Sequence, residues 1–105
     1  MKSGCEIWVS EMLTEDEIFD AIFEMPYSDE PSGILFGNVV EAVLKRGPLT
    51  DSDLMEIASG VAGASDLLTP ATVRACVFET TGRLPSGIRS CVENILKRGL
   101  DGEVA

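Results

Sequence analysis

From Glu11 to Glu41 the sequence holds nine acidic residues and no basic one: Glu11, Glu15, Asp16, Glu17, Asp20, Glu24, Asp29, Glu30 and Glu41. Carboxylates at that density could act as acid–base pairs, as hard-cation ligands, or as a plate that meets a cationic surface. The chain contains no histidine, so the commonest general base, metal ligand and pH switch are missing together. Asp51-x-Asp53-x-x-Glu56 is not a calcium loop: the third oxygen ligand and the glycine such a loop needs are replaced by Met55 and Glu56. A chain of 105 residues is also small for a sugar cleft as well as a core, which counts against a glycosidase pair. Cys5, Cys76 and Cys91 have no histidine partner and no CxxC spacing, which argues against nucleophilic catalysis. Gly60-Val61-Ala62-Gly63 lacks the following Lys-Ser/Thr of a phosphate-binding loop. No metal, cofactor or catalytic residue is expected, and the acidic plate remains.

Those residues sit in a clear helical pattern. Thr14 reads as an N-cap with Glu17 completing a capping box, and Glu15, Asp16 and Glu17 suit the positive end of the helix dipole. Ile18, Ala21, Ile22 and Met25 recur at helical spacing, widened by Phe19 and Phe23, and the helix should end before Pro26. Asp16, Asp20 and Glu24 then form an i, i+4 row on the other side, each step rising about 6 Å. Residues 26–31 read as a loop. A second helix starts with Ser32 as N-cap, buries Phe36, Val39, Val40, Val43 and Leu44, and stops at Lys45-Arg46-Gly47-Pro48. A linking helix over 50–61 starts at Thr50 with Asp51 and Asp53 in its first turn and turns Leu54, Ile57, Ala58 and Val61 inward. A fourth has Thr69 as N-cap and Pro70 at the first helical position, with Val73, Cys76 and Val77 inward and Gly82 at its end. A fifth has Ser86 as N-cap and Ile88, Cys91, Val92, Ile95 and Leu96 inward, with residues 100–105 as a frayed tail. Residues 1–12 alternate like a short strand, or form an irregular arm that lays Trp8 on the core.

The second and fifth helices repeat one another. Pro31-Ser32-Gly33-Ile34 returns as Pro85-Ser86-Gly87-Ile88, and Lys45-Arg46-Gly47 as Lys97-Arg98-Gly99. Leu13-Thr14 matches Leu68-Thr69, and Phe23-Glu24 matches Phe78-Glu79. The expectation is one domain over residues 1–105, an all-α compact bundle of about five helices. It would be built from two tandem helix–loop–helix repeats, 13–47 and 68–99, stacked about a pseudo-two-fold to bury apolar faces that neither could bury alone.

Charge divides unevenly between the copies. Residues 13–47 carry eight acidic and two basic side chains, a net of −6; residues 68–99 carry two acidic and five basic, a net of +3. Like charges at i, i+4 cost roughly 0.2–0.5 kcal/mol per pair, so an uncompensated row has either a solubility and capping role or a cationic partner. The overall formal charge of −10 opposes binding to nucleic acid or to an anionic membrane. Val39 to Ser59 could pass for a helix–turn–helix, but its recognition helix would carry Asp51, Asp53 and Glu56 and no cation. Lys45-Arg46 and Lys97-Arg98 read as helix C-terminal charges rather than phosphate contacts. The sequence has no run of 18 apolar residues and a poor signal-peptide pattern at Met1–Ser10, and its odd cysteine count suits reduced thiols in a cytoplasm.

In size, acidity and cytosolic chemistry the chain resembles the small acidic phage proteins that inhibit CRISPR–Cas complexes. That resemblance implies binding to a crRNA-guided surveillance complex, type I first, and blocking of its basic DNA-binding surface in the host bacterial cytoplasm. Thr14-Glu15-Asp16-Glu17-Ile18 and Asp29-Glu30-Pro31-Ser32-Gly33-Ile34 also resemble helix starts in the colicin-type nuclease immunity family, although Tyr27 stands alone where that family has paired tyrosines. Either resemblance implies a non-enzymatic protein-binding role. The expected contact residues are Glu15, Asp16, Glu17, Asp20, Glu24, Asp29 and Glu30. Arg74, Arg83 and Arg89 would be a secondary surface for an acidic patch on the partner or on another copy, the latter making a self-associating phage module.

Overall fold

The computed structural model describes residues 15–25, 30–61 and 68–100. They form five helices and no strand: α1 (Glu15–Phe23), α2 (Pro31–Arg46), α3 (Asp51–Ser59), α4 (Pro70–Gly82) and α5 (Ser86–Gly99). The protein is an all-α bundle, as its periodicity implies. The strand or arm expected at residues 1–12 and the Thr14 cap lie outside the described residues.

α2 is the centre of the bundle, and the other four helices all pack on it. Its composition explains this. Leu35, Phe36, Val39, Val40 and Val43 are buried, and so are Gly33 and Gly37. Apolar or small residues therefore cover more than one side of the helix, which suits a position with neighbours all round. Gly37 receives α1: a Cβ there would stand 3.2 Å from Cζ of Phe23. Ile18 and Ile22 of α1 are buried as expected. Phe19 and Phe23 meet edge to face, ring centroids 4.6 Å apart, with Phe23 still 39% exposed.

α4 and α5 pack on α2 and on each other, while α3 packs on α2 and α4. A two-fold arrangement of the repeats would also set α1 against α5, as α2 is set against α4. Those two helices share no comparable packing among the described residues.

Local chemistry fixes two of the helix starts as expected. The Thr50 hydroxyl accepts from the Asp53 amide at 3.2 Å, and the Asp53 carboxylate accepts from the Thr50 amide at 3.1 Å. The same reciprocal pair recurs at Thr69 and Thr72, with Pro70 preorganising the first turn of α4.

The expected Ser32 and Ser86 caps are not formed. Pro31 is already helical, so Glu30 occupies the cap position with no side-chain cap bond and Ser32 lies inside the first turn. In α5 the cap position falls to Pro85, whose side chain cannot accept. α3 ends at Ser59 rather than at 61, yet Val61 is buried just beyond it.

Leu100 also differs from expectation. It is fully buried rather than frayed, and it pairs in a parallel bridge with Leu49, which is likewise fully buried. The Leu49 amide donates to the Gly99 carbonyl at 2.7 Å. Gly47 makes the turn into this pairing at φ +84°, a conformation costly for residues with a Cβ. Gly99 packs on Val43 so closely that a Cβ would collide with that side chain. The ends of α2 and α5 are thus clamped together.

Overpacking this contact has a measurable cost. Gly99→Ala is expected to destabilise the fold by about 1–3 kcal/mol in urea unfolding, because a Cβ there meets the Cβ and both methyls of Val43, a short side chain that a rotamer change alone does not clear. Val43→Ala in the same chain is expected to recover part of that loss, giving a non-additive double-mutant cycle.

Candidate partner-binding face

α1 carries the acidic row, held in place by Ile18 and Ile22 beneath it and by the two phenylalanines on Gly37. Asp16, Asp20 and Glu24 are all exposed and lie on successive turns. Among the described residues none of the three is paired with a cation. Glu17 is exposed beside them and has its own interaction. Glu15 begins the helix, and Asp29 lies outside the described residues. The face is thus a short line of solvated carboxylates, about 12 Å from the first to the last at 1.5 Å per residue.

Glu30 meets an arginine from the C-terminal half of the chain. Its carboxylate lies 3.9 Å from Arg83, which also reaches Glu79 at 3.7 Å. All three side chains are largely exposed, so water and salt screen these pairs and each is worth at most a few tenths to about 1 kcal/mol. Arg74 is placed differently. It is 17% exposed and binds Asp51 at 2.8 Å, tying α4 to the start of α3. Arg89 donates to the Gly82 carbonyl at 3.3 Å, near the end of α4. Each of the three arginines thus has a contact within the molecule, and Arg83 is also exposed to solvent.

The other chemistry-bearing residues have structural placements. Asp53 closes its capping box and Asp51 holds Arg74. Among the described residues no group of three His, Cys, Asp or Glu side chains comes together as a metal ion would require. Cys91 is buried, and Cys76 is half-buried on α4 beside Thr80. Burial pushes the Cys76 thiol up, Glu79 adds to the shift, and a hydrogen bond with Thr80 and the Arg83 charge only partly oppose it. A thiol held protonated is a poor nucleophile. A wide groove of about 410 Å³ opens between α2 and α3, edged by Glu41, Lys45, Arg46 and Glu56. Its charges are of both signs, and its lining sets no nucleophile beside a base.

Sequence periodicity missed two buried threonines. Thr80 and Thr81 point inward and donate to the carbonyls of Cys76 and Val77, each at 2.9 Å. Bonding to the preceding turn lets a hydroxyl be buried without leaving it unsatisfied. Among the described residues no helix is long and apolar enough to cross a membrane. Comparison with protein-family models, curated proteins and solved structures gave no match.

Two titrations test these placements. The Thr50 amide holds the Asp53 carboxyl below its ordinary value, helped by the Thr50 hydroxyl and the Arg46 charge. A depressed folded pKa stabilises the fold above the ordinary aspartate pKa, and that stabilisation disappears as pH falls through the depressed value. Carboxyl NMR titration is expected to place Asp53 below an unstructured aspartate, and Thr50→Val, which removes the hydroxyl and keeps the amide, to raise it only part of the way back. For Cys76, alkylation by iodoacetamide at pH 7 is expected to run slower than that of glutathione, and its rate to go on rising with pH beyond the ordinary thiol pKa before levelling off.

Proposed function

We propose that this protein is a non-enzymatic inhibitor that lays the acidic face of α1 on a basic nucleic-acid-binding surface of another protein and so keeps target DNA away. The observation that carries this reading is the row Asp16, Asp20 and Glu24, exposed on successive turns and in no ion pair among the described residues. A surface evolved to hold phosphates presents lysine and arginine, and fixed carboxylates give such a surface fast, steered association. The formal charge of −10 favours the same class of partner and disfavours direct contact with nucleic acid or membrane. The first candidate is a crRNA-guided surveillance complex of type I, met in the cytoplasm of a bacterial host, where the thiols of Cys76 and Cys91 stay reduced.

Charge reversal tests the face. The triple variant Asp16→Lys, Asp20→Lys, Glu24→Lys is expected to keep its helical circular dichroism, since all three side chains are solvated. It is expected to lose the ability to block target-DNA binding by a purified surveillance complex in a gel-shift assay, with association slowed by about tenfold or more. Full inhibition by the triple variant would discard this face.

A further inference from the structure

Half of the chain's eight cations belong to the two Lys-Arg-Gly endings, and the clamp between α2 and α5 brings those endings together. Two clefts run across the surface beside them. One lies between α1 and α2 and is lined by Asp16, Phe19, Glu41, Leu44 and Lys45. The other, of about 300 Å³, lies between the ends of α2 and α5 and is lined by Val43, Leu44, Gly47, Ile95 and Arg98, with Gly99 at its floor. Half-buried Leu44 is common to both. Asp16 lines the first cleft and Arg98 the second, on either side of Leu44; Lys45 also lines the first cleft, its charge taken up by Glu41 at 3.0 Å, and Lys97 precedes Arg98 on α5. Lys97 and Arg98 are both exposed, and neither is in an ion pair among the described residues.

We infer that this surface binds a second copy of the chain through a two-fold interface centred on Leu44. A rotation about an axis through Leu44 sets Asp16 and Asp20 of one copy against Arg98 and Lys97 of the other, and repeats the contact in reverse. An acidic flank and a basic flank on either side of an apolar centre are self-complementary, which a closed symmetric dimer requires. The arginines at 74, 83 and 89 do not take part, because their contacts lie within the molecule. The interface is at the small end of the range, held by a few exposed pairs around one leucine strip, so the dimer is weak.

Salt sets when it forms. Each copy carries −10, and in dilute salt the Debye length of about 30 Å lets the two bodies repel across their whole width. At about 0.15 M the length falls to about 8 Å, so the distant charges are screened while contact pairs survive. At about 1 M the contact pairs weaken too. Dimerisation is therefore strongest at intermediate salt.

The association stands apart from the inhibitor reading, although both use Asp16 and Asp20. Sedimentation equilibrium of the intact protein at about 0.15 M salt tests it. The wild type is expected to dimerise as concentration rises, and less so at either salt extreme. Asp16→Arg with Asp20→Arg moves the net charge from −10 to −6, so general repulsion falls. Dimerisation is nonetheless expected to weaken by about tenfold, because the contact pairs are reversed. Adding Lys97→Glu and Arg98→Glu to the same chain re-pairs both flanks and is expected to restore the dimer. Arg98→Glu alone is expected to weaken the dimer and leave inhibition intact, since Arg98 lies outside the proposed partner face.

A wild type that stays monomeric at every salt concentration overturns the proposal. So does tighter association of the Asp16/Asp20 variant, which would mean that net charge alone governs contact. Oligomers that grow beyond the dimer would show an open head-to-tail contact instead of the two-fold one. Circular dichroism confirms folding of each variant, and the wild-type concentration series decides the matter should any variant fail to fold.

Discussion

The close contact of Gly99 with Val43 determines more of this molecule than any other contact. Two helices that end in Lys-Arg would tend to separate, since their terminal cations repel. A missing side chain at Gly99 lets α5 approach α2 within van der Waals contact, and the Leu49–Leu100 bridge locks the chain segments just beyond. Burial of two whole leucines contributes roughly 3–6 kcal/mol before entropy is counted. That outweighs a few tenths per exposed like-charge pair. The cations stay near one another because the apolar clamp beneath them is stronger.

Once that end is fixed, α2 has no freedom left, and the remaining helices distribute themselves around it. α4 and α5 take one part of its surface, and α3 joins α2 to α4. α1 takes what is left, through Ile18, Ile22 and the Phe23 contact at Gly37. A nine-residue helix is too short to persist in water alone. Its order depends on this contact, and so does the line of carboxylates on its outer side. The clamp at one end of α2 and the glycine in its middle therefore set where positive and negative surface lie.

Much of this was legible in the chain because it is local. Thr50 with Asp51 and Asp53, and Thr69 with Pro70, state their helix starts within four residues, and the structure adds a capping box at each. The inward residues of α1 and α2 follow from 3.6-residue spacing. What was not legible depends on partners far away in sequence. Leu49 and Leu100 each sit just outside a helix, where periodicity is silent, and each is buried only because the other is there. Gly37 and Gly99 look like weak helix residues until the facing Phe23 and Val43 are known. Ser32 and Ser86 were readable as caps from residue type, but the prolines before them already fill the positions from which a cap would act.

The same distinction applies to the acidic face. The row Asp16, Asp20 and Glu24 follows from i, i+4 spacing, and its exposure follows from the apolar stripe opposite. The placement of the arginines does not. Their number suggested a basic counterpart to the acidic repeat, yet Arg74 is drawn to Asp51 and Arg83 lies between Glu30 and Glu79. Charge counted along a repeat says how much is present. Whether it faces solvent is decided by which carboxylate the fold brings within reach. Here the fold pairs carboxylates with Arg74 and Arg83, whereas among the described residues Lys97 and Arg98 are in no ion pair, so exposed positive charge lies at the clamped helix ends. Two helices whose endings are chemically alike thus form one joint cationic end, next to a first helix whose charge is entirely of the other sign.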